Sequence, residues 1–169
     1  MVTSRKRDPR ARSGVEPLDA RAARVAALDA LARRDHASED LRRKLLDKGY
    51  DPAVVGEVIE RLRAEKLLDD HRYVETFIGF HAARGHGPLR VRADLRKIGL
   101  PDELIEEGVE AYGDWAARLL EVRQKKFGAT LPSQYAERQR QARFLGYRGF
   151  TGAQIRMALG FDTDIDSDT

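Results

Sequence analysis

The sequence predicts an all-α protein, an elongated and curved array of three tandem three-helix repeats with the last one abbreviated. Three observations carry that expectation. Charged residues make up 35% of the 169 positions and aromatics only 7%, a balance that favours helices with broad solvated faces over a β-rich core. Apolar residues recur three and four positions apart along nearly the whole chain. A pattern of residues also returns, first after fifty positions and then after sixty-four.

In chain order, Val25, Leu28 and Leu31 place one face of a first helix inward, over about 19–34. A second helix starts near Ser38, read as its N-cap, and turns Leu41, Leu45 and Leu46 inward. Gly49 suits the left-handed position after its end. Asp51-Pro52 reads as a cap followed by proline in the first turn, and Val54, Val55, Val58, Ile59 and Leu62 form the stripe behind it. Asp70 is expected to cap the next helix, with Tyr73, Val74, Phe77, Ile78 and Phe80 inward. Gly85, Gly87 and Pro88 end that helix. A short helix carrying Val91 and Leu95 then runs to Gly99, and Pro101 opens another with Leu104, Ile105 and Val109. Trp115–Phe127 forms an amphipathic helix with Leu119, Leu120 and Val122. Two more helices, near 134–147 and 152–159, complete the pattern.

In register, Arg34, His36, Leu41, Leu45 and Gly49 correspond to Arg84, His86, Val91, Leu95 and Gly99, and then to Arg148, Phe150, Ile155 and Leu159. The matching end position of the third copy is Thr163, not glycine, and no third helix follows it. The expected organisation is a disordered basic arm (1–18), repeat 1 (19–68), repeat 2 with an extended last helix (69–127), an abbreviated repeat 3 (128–160) and a disordered acidic tail (161–169). A unit of about fifty residues buries little alone, which is why such units stack.

Composition narrows function. The absence of cysteine removes disulfides and thiolate zinc sites, and no apolar run is long enough to span a bilayer. The basic start has no apolar segment behind it of the kind a signal peptide needs, so the expected location is the cytoplasm. Net charge is +3, with −4 on residues 161–169 and +3 on residues 1–18, which leaves +4 for the body between them. A mildly basic body permits an acidic protein or a nucleic acid as partner. Asp162, Asp164, Asp166 and Asp168 of the tail are expected to compete for that basic surface.

No set of residues converges on catalysis, so neither an enzyme nor a cofactor is expected. His81 and His86 lie five apart, on different faces of a continuous helix, with no acidic cluster beside them, so no metal site is expected. His36 and His86 share a repeat position with Phe150, which points to packing. The glycines of the segment RGHGP do not have phosphate-loop spacing and read as turn geometry. Arg42, Arg92 and Arg156 each follow an inward-facing residue at one repeated position, and Arg43, Lys44, Arg90, Arg96 and Lys97 add charge to the second helices. These eight are the candidate contacts, because guanidinium groups suit carboxylates and phosphates. Arg34, Arg84 and Arg148, each near the end of a first helix, read as helix-end stabilisers. Tyr73, Tyr147 and Trp115 read as core.

Four segments carry a resemblance to a known family. LARRDHASEDLRRKLLDKGY (31–50), LLDDHRYVETF (67–77), ARGHGPLRVRADLRKIGL (83–100) and FLGYRGFTGAQIRMAL (144–159) follow in order. They include Asp69, Asp70, Arg72, Tyr73 and Phe77 in the second segment, Arg84, Gly85, Gly87, Pro88 and Gly99 in the third, and Arg148, Gly149 and Phe150 in the fourth. Together they resemble the RecX family over about 20–160. The resemblance implies tandem three-helix modules and a non-enzymatic regulator that binds the RecA recombinase in its filaments on DNA. It implies restraint of RecA's ATP hydrolysis, strand exchange and co-protease activities by a monomer that needs no membrane. The alternative is an autonomous DNA-binding module of helix-turn-helix type, since short helices joined by tight turns suit that role too.

Overall fold

A computed structural model describes residues 17–160, and all regular structure among them is helical. The basic arm and the acidic tail of the expected organisation lie outside the described residues, apart from the arm's last two positions, which open the first helix. No helix among the described residues is long and apolar enough to cross a membrane. The chain divides into two compact units, one ending at Asp69 and the other starting at Asp70.

The first unit holds α1 (Pro17–Arg33), α2 (Ser38–Asp47) and α3 (Pro52–Ala64). Its core joins Leu41 and Leu45 of α2 to Val54, Val55, Val58, Ile59 and Leu62 of α3, with Leu68 behind them. From α1 the buried residues are Ala23, Ala27 and Ala30. Val25, expected inward, is 53% exposed. A stripe of alanines four and three apart brings the α1 backbone close to the valine-rich face of α3, so the larger α1 side chains fall to the flanks, and Leu28 and Leu31 are only partly buried. Asp51 caps α3 as expected, its carboxylate accepting from the Ala53 N–H at 2.8 Å. Gly49 has φ +89° at the end of α2. Ser38 is not the cap of α2. That position belongs to Ala37, and the Ser38 hydroxyl accepts from Arg63 Nε at 3.0 Å.

The second unit begins with α4 (Asp70–Ala83), α5 (Pro88–Ile98) and α6 (Asp102–Tyr112), packed on one another. Asp70 is the first helical residue of α4, not its cap. Val74, Ile78 and Ala82 of α4, Val91 and Leu95 of α5, and Ile105 and Val109 of α6 are buried. Phe80, expected inward, is largely exposed. α4 and α6 approach closely where Gly108 meets Val74, since a β-carbon at Gly108 would lie 2.4 Å from Val74 Cγ1.

α7 (Trp115–Phe127), α8 (Tyr135–Arg148) and α9 (Gly152–Leu159) complete the unit. Trp115 ties α7 to the end of α6 by donating its indole N–H to the Val109 carbonyl at 2.9 Å. The sequence grouped α7 with repeat 2, but its Leu119 is buried with Leu145, Phe150, Ile155 and Leu159 of α8 and α9. In repeat register α8 matches α1 and α4, and α9 matches α2 and α5. The helix that packs on both therefore comes before the pair here and after it in the first two modules, so the third module is a permuted version of the same three-helix arrangement. Leu46 and Leu120, expected inward, are exposed, and Tyr147, expected in the core, is 85% exposed.

Candidate interaction surface

Each module turns from one helix to the next through the repeated Arg-to-aromatic segment, and in the second unit two of these turns meet. The chain leaves α4 through Gly85 (φ +81°) and leaves α8 through Gly149 (φ +89°). The Gly87 N–H donates to the Arg148 carbonyl at 2.7 Å, and the Leu89 N–H to the Gly149 carbonyl at 2.9 Å. Neither glycine leaves room for a side chain. A β-carbon at Gly87 would lie 2.4 Å from the Gly149 carbonyl and the Phe150 nitrogen, and one at Gly149 would lie 2.6 Å from the Arg90 nitrogen. The Arg148 guanidinium donates to the Arg84 carbonyl at 3.2 Å and covers the Phe144 ring, while Arg84 covers Phe80. Arg84 and Arg148 thus lie at the ends of α4 and α8, and Arg34 pairs with Asp40 at 3.0 Å.

The three aromatic positions differ. Phe150 is buried in the core of α7–α9. His36 is buried, with Nδ1 2.6 Å from Asp40 Oδ2. Burial pushes the Asp40 carboxyl up, but the His36 hydrogen bond and the Arg34 charge hold it below its ordinary value. His86 meets His81, Nδ1 to Nδ1 at 3.0 Å. The sequence placed these two rings on different helix faces. The left-handed turn at Gly85 ends the helix between them and folds His86 back. His81 also stacks on Phe77, which stacks on Tyr73, so a half-buried aromatic row runs along α4 to this turn.

With one nitrogen donating and the other accepting, the pair is suited to its neutral form. Burial lowers the pKa of His81, aided by Arg84 and Arg90 and opposed by Asp94. Burial likewise lowers that of His86, aided by Arg90, His81 and Arg148 and opposed by Asp94. The unfolded chain then takes up protons at these histidines from about pH 6.5 downward, before the folded one does. Stability is therefore expected to fall as pH drops below about 6.5, until the lowered folded values are passed. His86→Phe, which installs the residue of the third module, is expected to flatten that loss. Urea midpoints at pH 7.5 and 5.5 read the difference, and equal losses in the two proteins would remove the histidine pair as the cause.

The candidate second-helix bases are not equivalent. Arg42 lies 3.3 Å from Glu39. Arg92 Nε reaches both carboxylate oxygens of Glu106, at 2.9 and 2.8 Å. Arg96 bridges Asp102 at 2.6 Å and Glu106 at 3.4 Å. Asp94 takes Lys97 at 3.4 Å and Arg90 at 3.8 Å. Arg43 and Arg156 are exposed and Lys44 is half-buried. Four of the five α5 and α9 bases named here thus share acids of the second module, in surface pairs worth about 0–1 kcal/mol each. No group of metal-ligating side chains occurs among the described residues.

One charged residue escaped the sequence reading. Arg123 is 1% exposed, and its guanidinium donates to the Gly128, Ala129 and Thr130 carbonyls and to Gln141 Oε1. Trp115, Leu119 and Arg123 recur every four residues on the buried face of α7. That spacing is the signal in the sequence that could have found it, against the general rarity of buried arginine.

A chain of short helices in three successive modules, with bases spread over its second helices, belongs to the class of tandem three-helix module proteins. The family models identify the modules in order. "RecX, first three-helix domain" matches 23–62, "RecX, second three-helix domain" matches 69–109, and "RecX, third three-helix domain" matches 114–159. The third match takes in α7 with α8 and α9, in agreement with their packing. The chain is 45% identical over 138 residues to "Regulatory protein RecX" of Halorhodospira halophila, covering 81% of this chain and 86% of that one. It is 42% identical over 130 residues to the protein of that name from Pseudomonas savastanoi pv. phaseolicola, covering 76% and 84%. The crystal structure of RecX from Lactobacillus salivarius superposes with a TM-score of 0.76 at 18% identity, covering 86% of this chain and 97% of that one. The chain belongs to the RecX family of regulatory proteins.

Proposed function

We propose that the chain is a non-enzymatic regulator that binds RecA filaments on DNA and restrains RecA's ATP hydrolysis, strand exchange and co-protease activities. Membership of the RecX family, with all three domains matched in order, is the observation that carries this reading. It acts as a monomer in the cytoplasm, without cofactor, by covering neighbouring subunits of the filament. Three modules that repeat one basic position suit a partner that is itself repetitive. Arg42, Arg92 and Arg156 supply that position, with Arg43, Lys44, Arg90, Arg96 and Lys97 beside them. Weak surface pairs such as Arg42 with Glu39 cost little to exchange for a partner's carboxylates or phosphates.

The test adds the chain to RecA on single-stranded DNA at a stoichiometric ratio and follows ATP hydrolysis. Inhibition is expected, and an unchanged rate would overturn the proposal. Combined Arg42→Glu, Arg92→Gln and Arg156→Glu changes are expected to weaken the inhibition about tenfold or more, which corresponds to 1.4 kcal/mol of binding. Glutamine is used at 92 because a glutamate there would face Glu106. Full inhibition by this variant, with helicity intact by circular dichroism, would remove the repeated arginines from the contact.

A further inference from the structure

On α5 the positive charge is already compensated. Arg90, Arg92, Arg96 and Lys97 all lie against Asp94, Asp102 or Glu106. The uncompensated charge of the second unit rims a groove of about 380 Å³ between the end of α4, α7 and α8. Arg84, Arg118, Lys125, Lys126 and Arg148 line it against one acid, Glu121, which pairs with Arg118. The lining therefore carries a net charge of +4, and its other four bases pair with no acid among the described residues.

The groove is built to receive carboxylates beside an apolar group. Two of its guanidinium groups are held in advance. That of Arg148 donates to the Arg84 carbonyl at 3.2 Å and lies 5.3 Å from the centre of the Phe144 ring, and that of Arg84 lies 4.9 Å from the centre of Phe80. Groups already held lose little freedom when they grip a carboxylate. The floor is apolar, with Val122 at its centre, and the turn at Gly85 closes against it so tightly that a β-carbon there would lie 2.9 Å from Val122 Cγ2. Arg118 and Lys125 are about 10 Å apart along the α7 axis, a span of about three extended residues. An extended segment that alternates acidic and apolar residues turns its carboxylates to one face and its apolar groups to the other. A nucleic acid would use the rim alone. Phe144, the aromatic residue of the lining, packs on the core and carries Arg148 over its ring, so it offers no open face for a base to stack on.

We propose that this groove docks an acidic segment of a partner protein, with the segment's carboxylates on Arg84, Lys125, Lys126 and Arg148 and an apolar side chain on Val122. The site is separate from the repeated arginines of the second helices, and it stands whether or not RecA is the partner.

The probe is a short fluorescein-labelled peptide of alternating aspartate and leucine, titrated onto the full chain and followed by anisotropy. Binding is expected at low salt and is expected to disappear near 1 M salt, where the screening length falls to about 3 Å. Lys125→Glu combined with Lys126→Glu is expected to weaken it about tenfold or more, while the exposed pair Lys48→Glu and Arg61→Glu leaves it within about twofold. Serine in place of leucine in the peptide is expected to weaken it several-fold, through lost burial on Val122. A water-soluble carbodiimide, which joins a carboxylate to a lysine amine, is expected to link the peptide to Lys125 or Lys126 of the unmutated chain, so the site is also read without any variant. No binding, equal weakening by the two pairs of changes, or links confined to other lysines would overturn the proposal. So would an unchanged affinity for the serine peptide, which would reduce the groove to a general anion site, or displacement of the peptide by an equimolar amount of oligothymidylate, which would assign it to nucleic acid.

Discussion

Gly87→Ala is expected to destabilise the second unit by about 3 kcal/mol. Gly87 has an ordinary φ of −85°, so the cost does not come from its backbone conformation. It comes from proximity. The added methyl would lie 2.4 Å from three main-chain atoms of Gly149 and Phe150, and no side-chain rotation relieves a clash with a backbone. The turn must move instead, which breaks the Gly87-to-Arg148 and Leu89-to-Gly149 hydrogen bonds. Overpacking costs about 1–3 kcal/mol, and each lost hydrogen bond about 1 kcal/mol. Gly149→Ala is expected to cost as much or more, because the same seam is blocked from the other side and φ +89° adds left-handed strain. Gly49→Ala separates the two effects. Its φ is also +89°, but nothing lies within 4 Å of the added methyl, so about 1 kcal/mol is expected in the first unit. Urea unfolding followed by the fluorescence of Trp115, the sole tryptophan, reports the second unit. A Gly87→Ala protein within about 0.5 kcal/mol of the parent would mean that the seam yields, as surface substitutions do.

These two glycines show what the sequence made legible. The RGHGP segment reads as a turn and is one, and the RGF segment between the last two helices forms a turn too. Their contact with each other was not legible, because a pairing across some sixty residues leaves no trace in local spacing. Helix limits were legible where proline and glycine set them. α7 and α9 have the limits read from the sequence, and Gly49, Gly99 and Gly149 take left-handed positions after α2, α5 and α8. Hydrophobicity alone points the inner face of α1 at Val25, whereas the close approach of α3 selects the alanines. The apolar spacing of the sequence places Tyr147 and Phe80 on inward stripes, and the structure turns both outward. Tyr147 falls off the Gln141–Leu145 stripe of α8, and Phe80 off the Val74–Ile78–Ala82 stripe of α4, so both face outward.

The repeat was informative about position and less so about chemistry. His36, His86 and Phe150 occupy one register yet meet an aspartate, a second histidine and an apolar core. The helix that follows starts differently in each case. α2 is preceded by Ala37 and α5 by Gly87, neither with a side-chain cap, and α9 starts with a complete capping box between Thr151 and Gln154. Each module thus keeps the turn while its side chains have diverged. The same holds for the repeated arginine. Arg92 is held by Glu106 and Arg42 by Glu39, while Arg156 is exposed, so equal contributions from the three to a partner contact are not expected.

Arg123→Ala is expected to be nearly as costly as the change at Gly87, about 3 kcal/mol, and its effect should be local. The guanidinium gathers three successive carbonyls, of Gly128, Ala129 and Thr130, at 3.2, 2.8 and 3.2 Å. It also meets Gln141 Oε1 at 3.3 Å, and Gln141 in turn donates to Glu137 at 3.2 Å. One charge on α7 thereby fixes the loop to α8, and Arg138 holds the same loop from the other side through the Pro132 carbonyl at 3.0 Å. Hydrogen bonds from a charged donor contribute about 1.5–3 kcal/mol each. The full sum is not expected on substitution, because Ala129 and Thr130 are exposed and their carbonyls can turn to water. What is lost is the ordered loop and the packing of the buried stem. Arg123→Met keeps the stem and removes the donors, so about 2 kcal/mol is expected. Arg123→Lys keeps the charge but cannot span a fork of carbonyls, and should fall between Met and the parent. Amide exchange over 128–134 is expected to rise in all three variants while exchange within α4–α6 stays slow. An Arg123→Met protein with the parent's stability and the parent's exchange would show that the loop holds itself, and that the buried arginine serves α7 packing alone.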